Sequence, residues 1–177
     1  QMLAQRAQID GLTGLWNRSH FNRRMQEQIA AARRTGGRMA LALCDLDNFK
    51  SVNDTFGHPA GDSVLQRFGT LLAEMVRESD IPCRFGGEEF VVILPGATSE
   101  QAASVMERIR AGIAAMRWKR HPERSVTASF GIACADASTG WSAERCLTEA
   151  DQALYQAKSN GRNRIEIAGV KKVRMAG

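Results

Sequence analysis

Residues 81–95 have the sequence IPCRFGGEEFVVILP, in which two apolar runs flank the dipeptide Gly86-Gly87. Glycine adopts backbone conformations with positive φ at no steric cost, so two glycines between apolar runs predict a β-hairpin. Two acidic residues, Glu88 and Glu89, follow the glycines directly. The stretch therefore predicts two antiparallel strands joined by a tight turn, with carboxylates at its tip.

The sequence on both sides of this hairpin alternates between strand-like and helix-like patterns. Residues 39–44 (MALALC) form an uninterrupted apolar run, which is typical of a strand buried on both faces. Apolar residues at three- and four-residue spacing predict helices over 19–34, about 48–55, from 62, from 99 and over 142–158. Further strands are predicted over 126–134, with a bulge at Gly131, and over 163–167. Residues 57–61 are predicted as a loop, and Asp47 is predicted as the N-cap of the short helix over about 48–55. The alternation predicts an α/β (α+β) fold with a mixed sheet flanked by helices.

The composition is that of an ordinary globular domain. The chain has 177 residues, of which 44% are hydrophobic and 24% charged, with a net charge of +5. These values exclude a disordered tail, a collagen-like repeat and a small disulfide scaffold. The positive residues are spread over predicted helices, so we expect solvated helix faces and no nucleic-acid partner. The four cysteines form no CxxC pair, and we expect reduced core residues and no zinc site.

Acidic residues stand where a rigid scaffold presents functional groups. Asp45 and Asp47 end the predicted buried strand, and Glu88 and Glu89 follow the glycine turn. Carboxylates at such places suit Mg²⁺, which takes one or two of them and leaves its other positions to water and phosphate. An equally simple interpretation is that the two aspartates are turn or cap residues and the two glutamates a solvated hairpin tip.

Basic residues stand near the same predicted places. Lys50 follows Asp45 by five residues, and Lys158 and Arg162 flank the end of the last helix. Basic groups that converge on a metal site would indicate a polyphosphate substrate. The alternative is that Lys158 and Arg162 only complement the helix C-terminus.

The segment Gly86–Phe90 (GGEEF) resembles the signature motif of the GGDEF family, the diguanylate cyclases, in which Asp or Glu occupies the third position of active members. Four further segments resemble the family's other motifs in the same order, so that the resemblance covers roughly residues 10–167: they are DGLTGL at 10–15, DLDNFK at 45–50, ND…FGH…GD over 53–62, and AD…AK…GRN over 150–163.

This resemblance implies a fold and a reaction. The fold would be a nucleotidyl-cyclase palm, a ferredoxin-type βαββαβ core with the signature on a β-hairpin. The reaction would condense two GTP molecules to cyclic di-GMP and two pyrophosphates in a homodimer of domains, with Mg²⁺ or Mn²⁺ as cofactor, two ions in each active site.

The resemblance also implies residue roles. The metal ligands would be Asp45, the backbone carbonyl of Leu46, Glu88 and Glu89, and the catalytic residues Glu88, Glu89 and Lys50. The substrate-binding residues would be Asn53 and Asp62 at guanine, Gly86 and Gly87 against the nucleotide, Lys158 and Arg162 at phosphate, and His58 in the loop motif.

A second site is implied upstream of the hairpin. Arg77-Glu78-Ser79-Asp80 resembles the family's RxxD motif, through which the product inhibits the enzyme, and Arg108 matches a secondary contact. An Arg fork can bond to guanine O6 and N7, and an Asp can accept from the N1–H and N2–H₂ edge. The alternative is that Arg77 ends a helix and Asp80 begins a strand.

We expect residues 1–9 to be the end of a connecting helix from an upstream sensor domain, 10–168 the cyclase domain and 169–177 a flexible tail. The domain would be cytoplasmic, and a longer parent protein attached to a membrane would be compatible with that location. The main alternative function is a catalytically inactive receptor domain that binds GTP or cyclic di-GMP.

Overall fold

The computed structural model describes residues 7–170. Its elements in chain order are α1 (Arg18–Thr35), β1 (Met39–Leu46), α2 (Phe49–Phe56), α3 (His58–Met75), β2 (Ile81–Gly86), β3 (Glu89–Pro95), α4 (Ser99–Ala114), β4 (Ala128–Ala135), α5 (Ala143–Ser159) and β5 (Ile165–Ile167). No helix among residues 7–170 is long and apolar enough to cross a membrane.

The five strands form one mixed sheet in the order β2-β3-β1-β4-β5. The central strand β1 is antiparallel to both β3 and β4, and only β5 pairs in parallel, with β4. The first four strands with the helices between them reproduce the βαββαβ order of a ferredoxin-type core, with the predicted hairpin, β2 and β3, at one edge. The predicted fold class is confirmed.

The strand β1 is apolar throughout because both of its faces are covered. Ala40, Ala42 and Cys44 belong to one buried cluster, which α3 and α4 complete, whereas Leu41 and Leu43 belong to a second cluster, which α1 and α5 complete. Side chains of a strand point alternately to opposite faces, so one run of eight residues supplies both cores. The four cysteines are free, as expected.

The helix boundaries around residues 47–62 differ from the sequence-based prediction. The stretch 57–61, predicted as a loop, is mostly helical, because α3 begins at His58 with Pro59 in its first turn, where proline is well tolerated. Only Gly57, with φ of +88°, separates α2 from α3. The N-cap of α2 is Asn48, in the left-handed region, and not Asp47, whose carboxylate is bound elsewhere.

The predicted bulge at Gly131 is also wrong. Gly131 lies in regular register between Leu43 of β1 and Glu166 of β5. A Cβ atom at this position would lie 2.2 Å from the backbone oxygen of Ala150 and from the backbone nitrogen of Leu154. The glycine is therefore required by the close approach of α5 to β4 and not by a distortion of the strand.

The predicted connecting helix over 1–9 falls largely outside the described residues. Its described end is not helical: residues 7–9 form a turn in which Ile9 makes a β-bridge with Trp16. Residues 171–177 of the predicted tail also lie outside the described part of the chain.

Candidate active site

The end of β1 meets the tip of the β2–β3 hairpin because β1 and β3 are hydrogen-bonded neighbours. Asp45 lies opposite Glu89 in the register, and the backbone N–H of Leu46 donates to the carbonyl oxygen of Glu88 at 3.2 Å. The end of β1 and the glycine turn, about 40 residues apart in sequence, therefore lie side by side at one end of the sheet.

The helix α5 brings the cation of Lys158 to this end of the sheet. Lys158 Nζ lies 2.5 Å from Asp45 Oδ2, and the Asp45 side chain is only 8% exposed whereas that of Lys158 is 36% exposed. Asp45 points to the same side of β1 as Leu41 and Leu43, the side that α5 covers. The ion pair is therefore a direct result of strand alternation and helix packing.

The charge on Asp45 is unfavourable in this position. Burial raises the pKa of its carboxyl group, and the negative charges of Glu88 and Glu89 raise it further, against the lowering effect of Lys158. The resulting pKa is above the ordinary value of 3.8. An acid with a raised pKa, next to two others and at the end of a buried strand, is typical of a functional site.

A cavity of about 200 Å³ opens above this ion pair. Its lining brings together six of the residues predicted from sequence, and these are Asp45, Leu46, Lys50, Glu88, Lys158 and Arg162. Glu89 lies beside it, exposed and opposite Asp45 in the register. The cavity thus combines carboxylates with three basic side chains, and this combination can hold a metal-bound polyphosphate.

The predicted guanine-reading residues lie outside the lining of this cavity. Asn53 on α2 packs against Gly61 of α3, where a Cβ atom would lie 1.8 Å from Asn53 Oδ1. Asp62 and His58 are exposed on α3. The structure therefore brings Asn53 to the beginning of α3, and Gly61 is needed for the two helices to approach.

Asp47 has a role that the sequence analysis missed. Its buried carboxylate accepts hydrogen bonds from Thr127 Oγ1 at 2.7 Å, Ser129 Oγ at 2.6 Å and the backbone N–H of Asn163 at 3.0 Å. Arg162 and Asn163 both have positive φ, so the segment after α5 turns back sharply toward β1. Asp47 thereby fixes the segment that carries Arg162 at the edge of the cavity. The burial of its carboxylate indicates this positioning role, and the sequence alone does not show that burial.

The hairpin tip is fixed by a second residue that the sequence analysis missed. Arg84 donates from Nη2 and Nε to the carbonyl oxygen of Gly87 at 2.8 and 3.0 Å, and its Nη1 lies 3.2 Å from Asp10 Oδ1. Gly87 has φ of +46°, whereas Gly86 ends β2 without a positive φ. Only one of the two glycines is thus needed for the turn itself, and an added Cβ on Gly86 would meet open space.

Asp10 is held in its charged form by these contacts. Burial alone would raise the pKa of its carboxyl group, but hydrogen bonds from Thr13 and the nearby Arg84 guanidinium lower it more, so the pKa lies below 3.8. The opening motif at residues 10–15 is thereby tied to the hairpin tip.

The RxxD segment forms a local ion pair between α3 and β2. Arg77 donates from its backbone N–H to Asp80 Oδ2 at 2.9 Å, and its Nη2 lies 3.3 Å from Asp80 Oδ1 and from the carbonyl oxygen of Pro95. The Asp80 side chain is fully buried, whereas that of Arg77 is 61% exposed. Arg77 is therefore accessible to a ligand and Asp80 orients it; Arg108 lies nearby, with Nη2 3.5 Å from Met75 Sδ.

Among residues 7–170, no group of three or more His, Cys, Asp or Glu side chains is arranged to hold a metal ion unaided. The residues that line the cavity include Asp45 and Glu88, whose carboxylates are hard oxygen ligands, and Leu46, whose backbone carbonyl would be another. They fit Mg²⁺ or Mn²⁺ in the mode that uses one or two carboxylates together with substrate phosphate.

A family model described as "Diguanylate cyclase, GGDEF domain" matches residues 7–164. The chain belongs to the GGDEF family. It is 44% identical over 166 residues to the diguanylate cyclase DgcP of Pseudomonas aeruginosa, covering 93% of this chain and 24% of that protein. It is 41% identical over 162 residues to the response regulator PleD of Caulobacter vibrioides, covering 90% of this chain and 36% of that protein.

Solved GGDEF domains have the same fold. The coiled coil and GGDEF domain of DgcB from Caulobacter crescentus, in complex with c-di-GMP, matches with a TM-score of 0.89 and 32% identity, over 94% of this chain and 88% of that one. The active GGEEF domain of a diguanylate cyclase from Vibrio cholerae matches with a TM-score of 0.82 and 30% identity, over 88% of this chain and 98% of that one. The family predicted from the motifs is confirmed.

The curated relatives are longer than this chain. It spans 24% of DgcP, 36% of PleD and 53% of the diguanylate cyclase DgcS of Shewanella oneidensis. The activity, substrates and partners of a whole protein are therefore matters for proposal.

Proposed function

We propose that this GGDEF domain is an active diguanylate cyclase that condenses two GTP molecules to cyclic di-GMP and two pyrophosphates. The observation that carries the proposal is the cavity at the end of β1, where Asp45 and Glu88 meet Lys50, Lys158 and Arg162. The similarity to diguanylate cyclases, including one domain with the same GGEEF sequence, supports the same activity.

The reaction consists of two equivalent transfers. In each, the 3′-hydroxyl oxygen of one GTP forms a bond to the α-phosphorus of the other, the bond from that phosphorus to the bridging oxygen breaks, and pyrophosphate leaves. The hydroxyl proton passes to a nearby carboxylate or to water. Because one domain offers one such cavity, two domains must face each other with two-fold symmetry, and we propose a homodimer of domains as the active unit.

The acidic residues would hold the cofactor. Asp45, the carbonyl of Leu46, Glu88 and Glu89 are the proposed ligands of two Mg²⁺ or Mn²⁺ ions. Bound there, the ions would offset the charge of the triphosphate and lower the pKa of the attacking hydroxyl. Asp45 is bonded to Lys158 in this structure, so metal binding would release Lys158 to a phosphate oxygen.

The remaining residues would hold GTP. Lys50, Lys158 and Arg162, which line the cavity, would contact phosphate, and the bare backbone of Gly86 and Gly87 would leave room for the nucleotide. Asn53 and Asp62, with His58 in the same segment, are proposed to bind guanine, since an Asp can accept from the N1–H and N2–H₂ edge. Glu88, Glu89 and Lys50 are the proposed catalytic residues. The two carboxylates would lie near the attacking 3′-hydroxyl, and the ammonium of Lys50 near the phosphate.

Regulation is proposed at two places. Cyclic di-GMP would bind to Arg77, oriented by Asp80 and with Arg108 nearby, and hold two domains apart. A sensor domain in a longer parent protein would control how the two domains pair. GTP is the substrate, so we propose that the domain acts in the cytoplasm.

The test is incubation with GTP and Mg²⁺ followed by nucleotide chromatography. We expect cyclic di-GMP and pyrophosphate in a 1:2 ratio, and a rate per protomer that rises with protein concentration. Glu88→Gln keeps the size of the side chain and removes a ligand charge, and it should abolish the product with the fold retained. Tight GTP binding without turnover in the wild type would instead support the receptor alternative.

A further inference from the structure

A concave surface of about 560 Å³ lies between the beginning of α3 and the loop that joins α4 to β4. Six basic side chains line it, and we call it the basic pocket: Arg67, Arg117, Lys119, Arg120, His121 and Arg124. It shares no lining residue with the cavity at Asp45. The proposed cyclase reaction assigns it no role.

The basic pocket lacks compensating acids. In the described part of the chain, no ion pair involves its arginines or Lys119, whereas Arg110 and Arg145 elsewhere pair with Glu107 and Glu149. Among residues 7–170, the ion pair of this cluster joins Glu123 Oε1 to His121 Nδ1 at 3.6 Å, and the Glu123 side chain is 64% exposed. Positive charge therefore accumulates in a concave site, where low-dielectric walls strengthen its effect on an anion.

Arg124 is the buried part of this cluster. It is 9% exposed, and its Nε and Nη1 have no hydrogen-bond partner among residues 7–170. Burial lowers the pKa of its guanidinium, and the charge of Arg67 lowers it further. A guanidinium stays charged nevertheless. The charge of Glu123 and the rings of Trp118 and Phe56 offset part of the cost of this buried charge, and a bound anion that accepts from Nε and Nη1 would reduce the remainder.

The aromatic residues of the pocket indicate how a ligand would be recognised. The Trp118 ring is 2% exposed and carries the Arg67 and Arg124 guanidiniums at 4.6 and 4.1 Å from its centroid. This buried ring is therefore in contact with two cations and is not exposed for stacking with a nucleobase. The pocket's main means of recognition are its charge and the planar forks of its arginines, which match the oxygens of phosphate.

We propose that the basic pocket binds a small phosphate-bearing anion with two or more negative charges. This site is distinct from the proposed cyclase site: none of its residues lines the cavity at Asp45, and its lining contains none of Asn53, His58 and Asp62, the residues proposed to bind guanine.

The test is isothermal titration of the 177-residue chain with inorganic phosphate, pyrophosphate and glycerol 3-phosphate in 150 mM KCl and EDTA. EDTA removes the divalent metal through which a polyphosphate would bind at Asp45. The pocket variant is Arg117→Ala with Arg120→Ala; both side chains are exposed, and neither makes a hydrogen bond or ion pair with residues 7–170. The control is Arg33→Ala with Arg34→Ala at the exposed end of α1, which removes the same charge.

We expect pyrophosphate to bind at least tenfold more weakly to the pocket variant, as is usual when charge-assisted hydrogen bonds are lost. The control should bind within twofold of the wild type. Arg124→Lys, which keeps the charge and removes the fork, should also weaken binding at an unchanged circular dichroism spectrum. If glycerol 3-phosphate binds as tightly as phosphate, the pocket's ligands include phosphate monoesters. If pyrophosphate alone binds, the ligand class is restricted to polyphosphates.

Equal weakening in the pocket and control variants would overturn the proposal, since only net charge would then matter. Absence of binding heat for all three anions at millimolar concentration would overturn it as well. Binding of duplex DNA in place of the small anions would assign the pocket to a nucleic acid instead.

Discussion

At the scale of single residues, Asp45 combines burial, like-charged neighbours and one bound cation. Its pKa is raised in the folded state, so folding favours its protonated form and the ionised form costs stability at neutral pH. This cost is fully present above the folded-state pKa and disappears as the pH falls below the unfolded value of 3.8. The ionised carboxylate of Asp45 is thus a cost to stability at neutral pH, as is common for groups at functional sites.

We therefore predict that Asp45→Asn abolishes cyclic di-GMP formation and leaves the melting temperature at pH 7 unchanged or higher. The amide removes the buried charge, and Lys158 remains partly exposed to water. Asp151→Asn, an exposed substitution on α5, is the control and should change neither property. Thermal unfolding and nucleotide chromatography measure the two effects; a melting temperature several degrees lower would mean that the Asp45–Lys158 pair is net stabilising.

Asp10 is the opposite case, because its pKa is lowered in the folded state. Its contribution to stability is present above the unfolded value of 3.8 and is lost as the pH falls through the lower folded-state pKa. We predict that Asp10→Asn lowers the free energy of unfolding by about 1.5–3 kcal/mol at pH 7, the usual range for hydrogen bonds to a charged group.

The difference between wild type and Asp10→Asn should become smaller below pH 3.8. Urea unfolding at pH 7 and pH 3 measures it. A difference that stays constant over this range would show that the Thr13 and Arg84 contacts do not depend on the charge of Asp10.

At the scale of elements, Gly131 lets α5 pack directly against the backbone of β4. Gly131→Ala would place a methyl group 2.2 Å from two backbone atoms of α5, neither of which can rotate away. We predict a loss of more than about 3 kcal/mol in unfolding free energy, in the range of severe overpacking. Gly11→Ala, where an added Cβ meets nothing within 4 Å and φ is ordinary, should cost far less. Chemical denaturation compares the two; similar values would mean that α5 can shift without cost.

The elements themselves were largely predictable from the sequence. The continuous apolar run at 39–44 and the two apolar runs around the glycines at 81–95 predict buried strands. The apolar residues at three- and four-residue spacing likewise predict the long helices. The pairing of β1 with β3 and β4 depends on contacts distant in sequence, and no local pattern encodes it.

The candidate-site residues that belong to a sequence motif could be predicted, whereas those whose role depends on tertiary packing could not. Asp45, Glu88, Lys158 and Arg162 stood in recognisable segments, and the structure brings them to one cavity. Asp47 was interpreted as a cap because an Asp before a helix usually is one. Its bonds to Thr127, Ser129 and Asn163 join residues at least 80 positions away, so only the fold could show them.

At the scale of the whole molecule, the Arg77 site and the cavity at Asp45 share no residue. We predict that Arg77→Ala weakens cyclic di-GMP binding at least tenfold, relieves non-competitive inhibition and leaves the initial rate near that of the wild type. The loss of bidentate bonds to guanine is the physical reason. Asp80 keeps the hydrogen bond from the backbone N–H of residue 77, so the turn should survive.

Titration calorimetry with cyclic di-GMP and progress curves with added product measure these two effects. Glu78→Ala, in the same exposed turn, is the control and should leave inhibition intact. If Arg77→Ala abolishes GTP turnover while product affinity is unchanged, the segment belongs to the substrate site.

The bond between Asp45 and Lys158 also has a consequence for the order of events on the ribosome. The two residues are 113 positions apart, and β1 lies between β3 and β4, both of which are synthesised after it. At about 5–20 residues per second, the lysine is added roughly 6–23 s after the aspartate. A nascent chain that has emerged only as far as β3 therefore holds an acidic strand end without its cation and with one side of β1 unpaired. The candidate site is among the last parts of the domain to be completed, and a chain that stops before α5 lacks Lys158 and Arg162.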